Sequence, residues 1–94
     1  MKKITSLANF KRQLRNQGYS KAETQVFEDN FSCKIHSHEF SVFAFVEEGE
    51  FILRTNLKNE VFHPGETCKV IAGTLHAEGS GSTGAKIVFG KKFM

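Results

Sequence analysis

Apolar and polar positions follow two different periods along this chain. Over residues 6–17, Leu7, Phe10 and Leu14 recur at offsets of three and four, with basic residues between them. This is the period of an amphipathic helix. Gly18 follows and is a common helix stop. The pattern therefore predicts one short helix over residues 6–17.

From about residue 24 onward the chain consists of short runs rich in Phe, Val, Ile and Thr, separated by Gly, Asn and Pro. Such runs are typical of strands joined by tight turns. We predict strands at 25–27, 32–38, 40–46, 50–56, 61–62, 67–71, 76–78 and 86–89, and turns at 48–49, 57–59, 64–65 and 72–73. The Gly- and Ser-rich segment 79–84 is expected to be a loop. The strand pattern predicts a closed barrel or a sandwich.

The length of 94 residues favours one structural domain, because two would each bury too little apolar surface. Within it we expect a helical segment over residues 1–22, followed by a barrel over 23–94. Ten Phe residues, with no Trp and one Tyr, supply bulky side chains for its core.

Both faces of the predicted strand 40–46 are apolar. Val42, Ala44 and Val46 alternate with Phe43 and Phe45. One face should line the barrel, and the other needs a cover. The apolar stripe of the helix also needs a cover, and we expect the helix to shield only one such patch within the chain. The second patch predicts a homodimer.

Charge and cysteine content favour a cytoplasmic protein with neither nucleic acid nor membrane as partner. The net charge is only +3, and the basic residues of the first quarter are typical of a solvated helix face. Polar residues interrupt segment 4–10, which therefore lacks the apolar stretch of a signal peptide or a membrane span. Two cysteines without C-x2-C spacing indicate a reducing compartment.

Three histidines form the candidate chemical site. His36 and His38 are two apart in a strand-like run, so both side chains should project to one face and reach one ion. His76 begins a later run. The alternative interpretation is a polar cluster that binds no metal.

These positions resemble the two motifs of the cupin family, G-x5-H-x-H-x3,4-E-x6-G and G-x5-P-x-G-x2-H-x3-N. The positions in register are His36, His38, Gly49, Gly65, Gly73 and His76. The resemblance covers about half of the chain. It implies an all-β fold, a small double-stranded β-helix (jelly-roll or cupin barrel) with a short N-terminal α-helix. It also implies a divalent transition metal (Fe, Zn, Ni, Cu or Mn) held by the three histidines, and pairing into dimers.

The chain departs from the motifs at four positions. Asn30, Ile71 and Ser80 replace Gly, Pro and Asn, and Asn30 can adopt the left-handed conformation that Gly would provide. Val42 stands where the family has its metal-binding glutamate. A metal here would keep its full double charge on three neutral imidazoles, with positions open to water, substrate or an anion. Some cupin dioxygenases resemble this arrangement.

Two carboxylates could replace the missing ligand or act as a base. Glu39 and Glu78 lie near the histidines, and Glu78 shares strand parity with His76. Each also fits the simpler interpretation of an exposed charge.

The other histidine and the two cysteines are weaker candidates. His63 precedes the predicted turn at 64–65 and is expected to face solvent. Cys68 is expected to be a small core residue. Cys33 has the opposite parity from His36 and is not expected to be a ligand.

The leading hypothesis is a metal-dependent enzyme, dioxygenase-like or isomerase-like, acting on a small and fairly hydrophobic organic substrate. The alternative is a non-catalytic module that binds or senses a small ligand, favoured by the missing glutamate and by the lack of a recognisable base. A scaffold with an inactive site is the third possibility.

Overall fold

The computed structural model describes residues 4–93. Helix α1 spans Leu7–Asn16, and five strands follow it: β1 Glu23–Phe27, β2 Phe40–Arg54, β3 Asn59–Phe62, β4 Thr67–Val70 and β5 Ala77–Phe93. β2 and β5, with 15 and 17 residues, are much longer than the others.

Helix α1 confirms the prediction from the 3.6-residue period. The side chain of Ser6 caps it by accepting a hydrogen bond from the backbone N–H of Asn9 at 3.1 Å. Such a cap satisfies one of the N–H groups that a helix start leaves without a partner. Phe10 and Leu14 are buried, at 0% and 2% exposure.

The sheet is antiparallel throughout, with strand order β1-β5-β2-β3 and with β4 also paired to β2. β2 and β5 pair along almost their whole length, with register shifts between Val46 and Glu48 and between Gly49 and Phe51. Such shifts bend a strand without ending it. The predicted turn at 48–49 is therefore wrong: Gly49 has φ 75° but lies at a bend inside β2, where a Cβ would collide with the carbonyl oxygen of Gly84.

Segment 79–84 is part of β5, so the predicted loop is also wrong. Its small residues allow other segments to approach closely. A Cβ at Gly79 would lie 2.8 Å from the carbonyl oxygen of Phe31. Ser80 is buried, exchanges backbone and side-chain hydrogen bonds with Phe31, and donates its hydroxyl to the carbonyl of Glu28. Glycine here provides space for packing rather than flexibility.

The inner core draws residues from all five strands, which means that the sheet curls around it. Its buried members are Phe27, Ala44, Val46, Phe51, Leu53, Phe62, Val70, Ala85 and Ile87. Val42 packs against this core from its edge. The prediction that one face of this strand lines the interior is confirmed, and the lining face is that of Val42, Ala44 and Val46.

A second cluster forms on the outer face of β2, where Phe43 and Phe45 meet α1. The centroid of the Phe10 ring lies 4.9 Å from the centroid of the Phe43 ring and 5.4 Å from that of the Phe45 ring. Phe43 and Phe45 are only 4% and 5% exposed. The helix stripe and the phenylalanine patch therefore cover each other, and the expectation that one of them is left over is wrong. An uncovered apolar patch therefore no longer supports the homodimer, which stays a prediction.

The segment between β1 and β2 is irregular, so the predicted strand 32–38 is wrong. Isolated bridges join Ser32 to Gly79 near the start of β5 and His36 to His76 just before β5. Asn30, with φ 55°, makes the left-handed turn expected of it. Within residues 4–93, no helix has both the length and the apolar character needed to cross a bilayer.

Candidate metal centre

His36 and His76 face each other across one of these isolated bridges. The N–H of His36 donates to the carbonyl of His76 at 2.8 Å, and the N–H of His76 donates back at 2.9 Å. Residues directly opposite in an antiparallel pair project their side chains to the same face. The backbone therefore brings together two histidines that lie forty positions apart in sequence.

His38 joins them from two positions further along. Its carbonyl accepts a hydrogen bond from the N–H of Gly73 at 2.9 Å. Its ring stacks on Phe40, with 4.7 Å between ring centroids and an interplanar angle of 11°. These contacts fix both the backbone and the ring of His38.

The three imidazoles converge as the sequence predicts. Their ring centroids are 4.5 to 5.2 Å apart, and one nitrogen from each lies within 4.8 Å of the others. Nitrogens bound to one tetrahedral ion would be about 3.3 Å apart. Small side-chain rotations would close that difference, so the residues fit a metal ion.

Backbone carbonyls orient two of the rings. Nδ1 of His76 lies 2.9 Å from the carbonyl oxygen of Thr74, and Nδ1 of His36 lies 2.8 Å from that of Lys34. A ring that donates from Nδ1 carries its lone pair on Nε2, the tautomer that metal-binding histidines commonly use. In both rings the lone pair of Nε2 is therefore directed away from the backbone contact and can bind a metal ion.

The surroundings of His38 favour its neutral imidazole, which is the metal-binding form. His76 is 1% exposed, while His36 and His38 are half-buried. Burial lowers the pKa of His38, the neighbouring His36 and His76 and more distant Lys91 lower it further, and Glu78 opposes them.

A cavity of about 240 Å³ opens beside His38. Its polar lining consists of Gln25, His38, Glu78 and Lys91, and its apolar lining of Phe40, Val42, Ile87 and Phe89. Val42, which replaces the glutamate of the cupin motif, therefore faces the same space as His38. The apolar wall agrees with the expectation of a fairly hydrophobic ligand.

Of the two candidate carboxylates, only Glu78 lines this cavity. Its Oε1 lies 4.0 Å from Nε2 of His36. Glu39 is exposed and is not part of the lining.

The parity argument that separated Cys33 from His36 is wrong. Its sulfur lies 3.9 Å from Nδ1 of His36 and accepts a hydrogen bond from the N–H of Glu78 at 3.2 Å. Cys33, His36 and Glu78 form a second group whose ligand atoms lie within 4.8 Å of one another. Parity did not reveal this contact because segment 32–38 is not a regular strand.

The remaining candidates lie where the sequence placed them. His63 is exposed and pairs with Glu50 at 3.3 Å and with Glu66 at 3.4 Å, outside the three-histidine cluster. Cys68 is half-buried against the inner core.

Sequence reasoning missed two polar residues of the cavity, Gln25 and Lys91. The signal for Lys91 was present, because it continues the alternation of Ile87 and Phe89 along β5. Ending the predicted strand at Phe89 hid it.

Solved structures share this arrangement of strands. An RmlC-like cupin from Shewanella frigidimarina is 22% identical, with a TM-score of 0.68, and the match covers 79% of this chain and 66% of that one. KdgF from a Halomonas species is 17% identical, with a TM-score of 0.64 and coverage of 78% and 68%. This chain has the cupin fold. A Thermotoga maritima protein, described as a predicted oxalate decarboxylase, is 15% identical, with a TM-score of 0.69 and coverage of 88% and 74%.

At these identities the likeness extends to the cupin fold and not to a particular activity. No family model matches the sequence, and no curated protein matches it. The matched part of the chain covers 66% to 74% of the length of these three proteins.

Proposed function

We propose that this cupin binds one divalent transition metal through His36, His38 and His76, and that it acts as a metal-dependent enzyme on a small organic molecule in the adjacent cavity. The observation that carries the proposal is the convergence of three imidazoles, one of which, His38, lines the cavity. A bound ion would polarise an oxygen of the ligand and stabilise developing negative charge on it.

The chain's own residues supply the remaining functions. The Thr74 and Lys34 carbonyls hold two rings in the metal-binding tautomer. The apolar wall excludes water from one side of the ligand. Glu78 carries the only carboxylate among the described lining residues, so it is the candidate to accept a proton from the ligand.

This placement of Glu78 favours an isomerase-like proton transfer over binding alone. A non-catalytic binding or sensing module remains the second candidate, supported by the valine at position 42.

Metal analysis of protein purified without a His tag tests the proposal. We expect about one ion per chain for wild type, and at least a 100-fold loss of affinity in His36→Ala. His63→Ala is the matched control, because it removes an exposed histidine outside the cluster. Equal metal content in all three proteins would contradict the proposal.

A screen of the metal-loaded protein with diketones, thiols and flavonols under air then separates enzyme from sensor. Each metal must be loaded separately, since three imidazoles take up copper, nickel or zinc according to supply. Turnover that Glu78→Gln abolishes, with metal retained, supports the enzyme. Ligand binding without turnover supports the sensor.

A further inference from the structure

Lys91 lies directly opposite Val42 in the β2–β5 pairing, with its side chain on the cavity wall. Its ammonium nitrogen is 5.0 Å from the centre of the Phe40 ring and 6.0 Å from that of Phe89. Aromatic faces attract a cation and support the aliphatic stem. The charge of Lys91 is therefore held at the wall that also carries His38, one member of the histidine cluster.

The charges around this cavity are unbalanced. Three neutral imidazoles do nothing to offset a divalent ion, and Lys91 adds another positive charge. Glu78 is the single carboxylate among the described lining residues. Glu23 lies 3.9 Å from Lys91 but is half-exposed outside that lining, so solvent screens much of its effect. A metal-loaded cavity would attract an anion strongly, because its apolar walls weaken screening.

The lining also restricts the kind of anion. Phe40, Ile87 and Phe89 offer apolar surface, while Lys91 is a single cation and Gln25 a neutral amide. Phosphate sites commonly use an arginine fork, and no arginine is present among the described lining residues. The combination fits one small anionic group attached to an apolar body.

We propose that the cavity selects a small carboxylate with an apolar body, whose anionic group lies between the three histidines and the ammonium of Lys91. This inference rests on the proposed metal site and adds its ligand class. The ligand would bring the negative charge that Val42 does not provide. Lys91 is then a specificity-determining residue for that ligand.

The test titrates benzoate and its neutral analogue benzamide into the Co²⁺-loaded protein, with visible absorption of the ion as the readout. We expect benzoate to bind wild type and Lys91→Arg, and to bind Lys91→Met at least 10-fold more weakly. Lys92→Met is the matched control. Lys92 follows Lys91 in sequence but lies on the opposite face of β5, where its ammonium donates to the carbonyl of Gln17 at 2.9 Å. This variant should bind benzoate as wild type does.

Equal benzoate affinity in Lys91→Met, or benzamide binding as tight as benzoate binding, would overturn the inference while leaving the metal site intact. Absence of a Co²⁺ spectrum in wild type would instead contradict the proposed function. In that case benzoate is titrated into the metal-free protein and followed by backbone NMR at Phe89 and Lys91. Shifts in wild type that are absent from Lys91→Met support the carboxylate contact, and the same result in both proteins overturns it.

Discussion

Strand β2 has two very different surroundings within a few residues. Phe43 and Phe45 lie under α1, where Phe10 is completely buried and the contacts are predominantly apolar. Phe40 and Val42, just before them, line a cavity that contains His38 and Lys91. The same strand thus carries a sealed apolar layer and an accessible polar end.

The difference separates stability from ligand binding. Each buried phenylalanine contributes about 1.5–3 kcal/mol through burial of apolar surface. The cavity end leaves apolar surface and titratable groups accessible, which a site requires but which adds little stability. We infer that the covered layer holds β2 and β5 in position while the histidine end remains available to an ion and its ligand.

The largest effect on folding should come from the covered layer. We expect Phe10→Ala to lower the free energy of unfolding by about 3–5 kcal/mol, because it leaves a cavity among packed rings. Urea denaturation measures this loss. Leu57→Ala, at a position 87% exposed, should change stability by less than about 0.5 kcal/mol. A Phe10→Ala protein as stable as wild type would show that α1 is dispensable for the sheet.

The next largest effect is stabilisation by bound metal, which should depend on the histidine end and not on the layer under α1. At a free metal concentration about 100 times the Kd, wild type should gain about 2.7 kcal/mol of stability, because the ion binds the folded state. Phe10→Ala, when still folded, should gain the same increment, whereas His76→Gln should gain almost none. Thermal melts with and without metal measure this. An undiminished gain in His76→Gln would mean that the ion binds elsewhere.

Adding a carboxylate at the cavity should strengthen metal binding more modestly. We expect Val42→Glu to tighten metal retention about 10-fold, or about 1.4 kcal/mol, because it supplies charge that neutral imidazoles lack. Competition with a chelator measures the affinity, and Val42→Gln controls for size. Equal or weaker retention in the folded Glu variant would mean that this side chain does not reach the ion.

The smallest effect concerns pH in the metal-free protein. The pKa of His38 is lowered by folding, chiefly through burial, so the unfolded state binds its proton more readily. Stability from this source is present above the ordinary pKa of about 6.5 and is lost as pH falls towards the folded value. Between pH 7 and 5.5 we expect wild type to lose on the order of 1–2 °C more in Tm than His38→Gln. Identical pH profiles would contradict this.

The sequence alone was sufficient for features that depend on local periodicity or motif spacing. The helix stripe and the two faces of β2 follow directly from offsets of three or four and of two. The three-histidine cluster follows from its spacing in the cupin motifs. Each of these predictions uses residues whose relation is set by the backbone of one element or by a known register.

The errors arose where contacts between distant segments decide the conformation. Gly49 and segment 79–84 have poor strand propensity, yet long pairing between β2 and β5 keeps both in strands. Cys33 reaches His36 because its own segment is irregular. Lys91 enters the cavity because β5 continues past Phe89. None of these follows from propensity alone.

The bridge between His36 and His76 has a consequence for the order of folding events. It joins residues forty positions apart, and the β2–β5 pairing beside it joins residues between 23 and 53 positions apart. Contacts of such long range form slowly because chain entropy must be lost before they stabilise anything. The complete ligand set would therefore assemble late on the pathway. We expect added metal to slow unfolding much more than it accelerates refolding.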